Sequence, residues 1–154
     1  MKVKVEGFRE LDANLQRLTK SAGKAVLRRA AIKALEPTAQ IARSLAPNDP
    51  ETGGFDLESS IVVGTALSRR QRGQHRKMFR DDRASVEVFM GAGPLPQAHN
   101  QEFGNIRHRP QPFMRPAWDQ DHMAVLDRLK ADLWAELSKA IRRAERKAAK
   151  AARG

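Results

Sequence analysis

Val3 and Val5 alternate with Lys2, Lys4 and Glu6 and stop at Gly7, the two-residue period of a short strand. Phe8, Leu11, Leu15 and Leu18 then recur at helical spacing, so a first helix is expected to end near Thr19 to Gly23. A second helix follows, with Ser21 as its candidate cap and Val26, Leu27, Ala30, Ala34, Leu35, Thr38, Ile41, Ala42 and Leu45 on one face. Pro37 falls inside it. An interior proline removes a backbone hydrogen bond, so a kink or a fresh helix start is expected there.

Asn48 to Gly54 is dense in turn formers and reads as a loop. Ser60 to Ala66 and Ala84 to Met90 are β-branched, apolar runs that can pair as antiparallel strands. The segment Arg69 to Arg83 between them is too long for a hairpin loop and reads as an extended, mobile excursion. Gly91 to Pro96 breaks the strand, Ala98 to Phe103 suits one or two helical turns, and Arg107 to Pro116 is extended and proline-punctuated. From Ala117 onward, Trp118, Leu126, Leu129, Leu133, Leu137 and Ile141 mark a long amphipathic helix, with Asp119 and Asp121 near its positive end. Beyond Ile141 only Ala144, Ala148 and Ala151 continue the stripe. They favour helix but offer little area to bury, so this end is expected to project or fray.

Charge changes the picture. The 154-residue chain, long enough for one domain, carries a formal net charge of +11. Arg69 to Arg83 holds seven Lys/Arg and two Asp, and Lys139 to Gly154 holds seven Lys/Arg and one Glu; the remainder has 15 basic and 15 acidic residues. A nearly neutral body with two basic appendages is expected, dividing the chain into 1–141, with the insertion 69–83, and a basic alanine-rich extension 142–154. A polyanionic partner suits that distribution.

The chain has no cysteine, which removes disulfides, thiol nucleophiles and thiolate zinc sites and makes a reducing cytoplasm the simplest place of synthesis. It has no apolar run long enough for a membrane span, and its polar N-terminus lacks a signal-peptide core. No cofactor is implied.

Four stretches carry a resemblance that covers roughly residues 3 to 140. They are Val5-Glu6-Gly7-Phe8 with Glu10-Leu11 and a Leu-rich helix; Ala46-Pro47, then Thr52-Gly53 and Leu57 before Ser60-Ile61; Glu102-Phe103-Gly104; and Arg109-Pro110 followed by Pro112-Phe113-Met114-Arg115-Pro116-Ala117. In order and spacing they resemble the tail-completion, or head-tail joining, proteins of long-tailed double-stranded DNA phages and prophages. Here the loop before Thr-Gly is lengthened by Asn48 to Glu51, an aromatic is missing near Gln97 and Ala98, Asn105 stands where Thr is common, and the insertion 69–83 is longer than usual.

The resemblance implies an α+β fold, a small antiparallel sheet packed by helices. It also implies a virion protein of the neck or tail that forms a ring of six. Its implied partners are the head-tail connector or stopper proteins, the tail terminator or tail tube protein, and double-stranded DNA passing through the channel.

Arg69, Arg70, Arg72, Arg76, Lys77, Arg80 and Arg83 admit three readings: contact with DNA phosphates, docking on acidic surfaces of neighbouring rings, or a solvated loop. Arg142, Arg143, Arg146, Lys147, Lys150 and Arg153 admit the same readings. They lack the interleaved aromatics that would stack on single strands.

Glu102 beside Phe103 and Gly104 reads as a structural acceptor, with Arg109 and Arg115 as its expected partners, rather than as a catalytic acid. Arg109 to Pro116 reads as an arm crossing the sheet or reaching a neighbouring subunit, with Phe113 as its apolar anchor, Pro110 and Pro116 disfavouring regular structure, and Trp118 fixing the following helix. A polyproline ligand is the less favoured reading of the same arm. The spacing of His75, His99, His108 and His122 matches no metal motif. Phe8, Leu11, Leu15, Leu126, Leu129 and Leu133 read as core.

Two other classes compete. A free, non-specific double-stranded nucleic-acid binder would use both basic appendages as clamps and bind as an isolated monomer. A small basic nuclease or toxin is disfavoured by the absence of tyrosine and of any convincing His-Glu constellation.

Overall fold

A computed structural model of the chain describes residues 20–48, 56–79, 86–93 and 95–152. The strand expected at Val3–Val5, the helix expected over Phe8–Leu18, most of the Asn48–Gly54 loop, and Arg80, Arg83 and Arg153 lie outside them. In chain order the elements are α1 (Lys20–Leu45), α2 (Leu57–Ser60), β1 (Val62–Gly64), α3 (Arg69–Met78), β2 (Phe89–Gly91), α4 (Pro96–Phe103) and α5 (Met114–Ala152). The class is α+β: among the described residues, a two-stranded antiparallel sheet, several helices and one very long C-terminal helix.

α1 and α5 form the frame. Val26, Ala30, Ala34, Thr38 and Ala42 of α1, at a strict four-residue interval, are all at most 1% exposed. Ala117, Asp121, Val125, Leu133 and Leu137 are the buried residues of α5, and half-buried Leu129 completes their own four-residue ridge. Such ridges run obliquely to the helix axis and interlock with their counterparts on a second helix. The alanines of α1 bring the two backbones close.

The helices run antiparallel, as the ion pairs Arg29–Glu136 (2.9 Å) and Lys33–Asp132 (2.5 Å) show. Val26 and Ala30 pack with Leu133 and Leu137 in one apolar cluster. Ala39, Ala42, Leu57, Ile61, Phe113 and Ala117 form a second under the sheet.

Several local expectations are corrected. α1 already includes Lys20, so Ser21 and Gly23 lie within it and neither caps nor ends a helix. It continues through Pro37 as one helix and does not restart there. The strands pair antiparallel, Val62 with Gly91, Val63 with Met90 and Gly64 with Phe89, but they are shorter than expected, and Gly91 pairs instead of breaking the strand.

Ser60 belongs to a helical turn, where its Oγ donates to the Leu57 carbonyl at 2.6 Å. The next carbonyl, Ile61 O, accepts Nε and Nη2 of Arg43 at 3.0 and 2.8 Å, which occupies that group. The long helix starts at Met114 instead of Ala117, so Pro116 sits in its first turn, where a proline loses no intrahelical bond. Leu126, read as core, is 39% exposed, because it lies off the ridge that faces α1.

Candidate functional site

Four features of this frame bear on function. The first joins the two sequence stretches Glu-Phe-Gly and Arg-Pro…Pro-Phe. Glu102, at the end of α4, accepts the backbone N–H groups of Phe113 and Met114 on Oε2, both at 2.9 Å, and that of Arg115 on Oε1 at 3.0 Å. These are among the donors that the start of a helix leaves without intrahelical partners, and a carboxylate there also meets the positive end of the helix dipole.

Glu102 is thus a structural acceptor, as its reading predicted, but its partners are backbone amides. The Arg115 guanidinium lies instead 5.6 Å from the centre of the Phe103 ring, and Arg109 is exposed with no carboxylate paired to it among the described residues.

The chain between the two stretches turns back sharply. Asn105 and His108 form an isolated bridge, and the Gln111 N–H donates to the Gln101 carbonyl at 2.7 Å. Gly104 has a φ of 73°, and a Cβ there would stand 2.8 Å from Pro110 Cδ, so a glycine is needed both for the backbone angle and for the space. Phe113, 1% exposed, is driven into the core of its own subunit.

The second feature is a groove of about 1140 Å³ whose lining includes Arg70, Phe89, Leu95, Phe103, Met114 and Trp118. Phe103 and Trp118 are 57% and 47% exposed. Trp118 stacks on His122, ring centres 6.0 Å apart, and does not fill the core.

The third is α3, which corrects the reading of Arg69–Arg83 as an extended excursion: its first ten residues are helical. The helix opens with a capping box, Ser68 Oγ accepting the Gln71 N–H at 3.3 Å and Gln71 Oε1 accepting the Ser68 N–H at 3.1 Å. His75 attaches the helix to the body. Its ring meets Phe89 edge-on at 5.2 Å and Phe79 at 4.8 Å, and its Nε2 lies 3.4 Å from Glu87. Arg69, Arg70, Arg72, Arg76 and Lys77 are all exposed, and no carboxylate pairs with them among the described residues.

The fourth is the end of α5. The helix does not break after Ile141, but every residue from Arg142 to Ala152 is exposed. Arg142, Arg143, Arg146, Lys147 and Lys150 are therefore displayed on a projecting rod. The helix runs on to Ala152.

A buried polar cluster went unread in the sequence. Thr38 donates to Asp121 Oδ2 at 2.6 Å, Arg128 pairs with both oxygens of Asp121, and Arg128 Nε reaches the Ala34 carbonyl of α1 at 3.1 Å. Asp121 lies two turns into α5, past the reach of the helix dipole, so its partners are side chains. The Arg128 hydrogen bond holds the Asp121 carboxyl below its usual range and, reciprocally, that of Asp121 raises Arg128. The cluster sits against Pro37, whose missing N–H weakens this part of α1. Its signal in the sequence was a threonine and an aspartate on otherwise apolar ridges.

Among the described residues no group of three or more His, Asp or Glu could hold a metal ion, and no helix is long and apolar enough to cross a membrane.

Together these features describe a subunit with a rigid frame, a locked turn and two displayed sets of cations. Residues 9–104 match the family described as "Bacteriophage HK97-gp10, putative tail-component". That match spans more than half of the chain, and the chain belongs to this HK97-gp10-like family of phage tail components. No curated protein and no solved structure matches it.

Proposed function

We propose that this tail component is a neck subunit that forms a closed ring, six-fold by family resemblance, at the head-tail junction. The ring joins the connector or stopper to the tail terminator or tube and lets double-stranded DNA pass. Its work is geometric and electrostatic, with no bond-making step and no cofactor, and its place is the virion, after synthesis in the host cytoplasm.

The observation that carries this reading is the separation of charge. The cations of α3 and of the free end of α5 are clustered, exposed and without a carboxylate partner among the described residues, while carboxylates between α1 and α5 such as Glu136 with Arg29 and Asp121 with Arg128 make structural pairs. A ring surrounding DNA needs cations displayed toward a polyanion and a body that does not repel its copies.

The exposed Phe103 and Trp118 are the side chains through which neighbouring subunits would meet. Glu102, Gly104, Pro110, Phe113 and Pro116 would act indirectly, by fixing that surface, with Arg109 and Arg115 at its edge. The basic extension 142–154 would be a separate contacting element.

The same unpaired cations also suit a free, non-specific double-stranded DNA binder. Particles assembled without this chain separate the two readings. Filled heads and unjoined tails are expected, whereas normally joined particles would overturn the neck role.

A further inference from the structure

Gly73 lies in the middle of the ten-residue helix α3, where glycine lowers helix stability relative to alanine. Nothing among the described residues calls for it. Its φ is not in the positive region, and a Cβ at this position would meet no atom of the described residues within 4 Å. The helix holds its shape through the Ser68–Gln71 capping box and the seat of His75 against Phe89 and Glu87.

At the helical period, Arg69, Arg70, Arg72, Arg76 and Lys77 fall within an arc of roughly 160°, with Gly73 near its middle and His75 on the opposite side. The side of α3 opposite His75 is therefore continuously cationic, from Arg72 to Arg70, the last of which also borders the groove, with a gap at its centre where the backbone is bare.

We propose that this face of α3 is a docking surface for the sugar-phosphate backbone of double-stranded DNA, with Gly73 admitting the strand close to the helix while the surrounding cations take its phosphates. The inference deepens the DNA-passing role proposed above and rests on it for its setting.

Two observations favour DNA over an acidic protein. The arc contains no apolar or aromatic side chain, which the centre of a protein interface ordinarily has. The central residue is also the one that leaves most room for close approach, whereas salt bridges between long side chains need none. The absence of aromatics from the arc equally disfavours single strands, whose binding rests on base stacking. Cations that replace condensed counterions give affinity without sequence readout, as DNA of every sequence moving past the ring requires.

The test is binding of the full chain to a fluorescently labelled 40-base-pair duplex of arbitrary sequence, measured by anisotropy over a salt series. The variant R69Q/R72Q/R76Q/K77Q should flatten the dependence of log affinity on log salt by about 3 to 4, as the loss of as many phosphate contacts requires. Gly73→Ala should weaken binding severalfold while leaving thermal stability equal or higher, a combination that a structural role for Gly73 would not give. R142Q/R143Q/R146Q/K147Q/K150Q serves as the comparison, with the smaller effect expected.

Three results would overturn the proposal: no duplex binding by the unaltered chain at 50 mM salt, an unchanged salt slope in the α3 variant, or equal competition by poly-aspartate at matched charge. None of them would remove the protein from the joined particle, so the failure of this inference is distinguishable from failure of the neck role.

Discussion

Glu102 Oε2 accepts the backbone N–H of Phe113 at 2.9 Å, across eleven residues and from a different helix. The same carboxylate takes the amides of Met114 and Arg115, so α4 caps the longest helix of the subunit while Phe113 enters the core beside it. Glu102→Ala is expected to lower the unfolding free energy by about 2 kcal/mol, at the upper end for a lost helix cap. Arg109→Ala should stay within roughly 0.5 kcal/mol, as surface substitutions do. Urea melts of both variants check the pair, and equal losses would restore the Glu102–Arg109 partnership that the sequence suggested.

Gly104 should tolerate nothing larger. Alanine there must take up a left-handed backbone angle and displace Pro110, for a combined cost of about 2 kcal/mol or more. Gly64→Ala, where a Cβ meets no atom within 4 Å, is the control and should change the thermal midpoint far less.

The Thr38–Asp121–Arg128 cluster gives the stability its pH dependence. The folded-state carboxyl of Asp121 titrates below its ordinary value because Arg128 and Thr38 bond its ionised form. Its contribution is therefore complete above the unfolded-state value, near pH 4, and is lost as the pH falls through the folded-state value. Glu136, lowered by Arg29 and Lys139, acts in the same direction, discounted for its solvent exposure. Unfolding free energy should be flat from about pH 7 to 5 and fall below about pH 4. Asp121→Asn should reduce that acid slope and cost about 3 kcal/mol at neutral pH, since Arg128 is left without its counter-ion. An unchanged slope in the variant would show that other carboxylates govern acid unfolding.

Phe113 and Trp118 separate folding from assembly. Phe113→Ala removes a fully buried ring from the cluster under the sheet and should cost about 3–5 kcal/mol, so any assembly defect it causes would follow from a weakened fold. Trp118→Ala removes a half-exposed ring. It should shift stability by less than about 1 kcal/mol while lowering the assembled mass in light scattering. Loss of assembly in neither variant would place the subunit contacts elsewhere.

Much of this frame was legible in the sequence because apolar spacing records it directly. The ridge of α1, the Leu129–Leu133–Leu137 half of the ridge of α5, the antiparallel partnership of the two β-branched runs and the bare end beyond Ile141 all follow from which positions carry side chains worth burying, whereas Trp118 and Leu126, read on the same stripe, lie off the ridge. α3 was missed because it has no apolar stripe. Its signals were the good helix propensity of Arg, Gln and Lys and the Ser68–Gln71 capping box, and a reading led by hydrophobic period passes over both. The role of Glu102 was half legible. Its chemistry marked it as an acceptor, but its donors are backbone amides, which no sequence displays. Thr38 reads as one more position on the face of α1 and Asp121 as a helix-end charge, because only the pairing of α1 with α5 brings Thr38 to Asp121 and Arg128 to the Ala34 carbonyl.

A reconstruction of the assembled particle's neck that resolves side chains tests the central claim most directly. The account predicts a closed ring of this chain, with the Arg69–Lys77 face of α3 or the Arg142–Lys150 end of α5 turned toward the DNA channel. Absence of the chain from the purified particle, or a ring that turns both cationic segments away from the DNA, would contradict it.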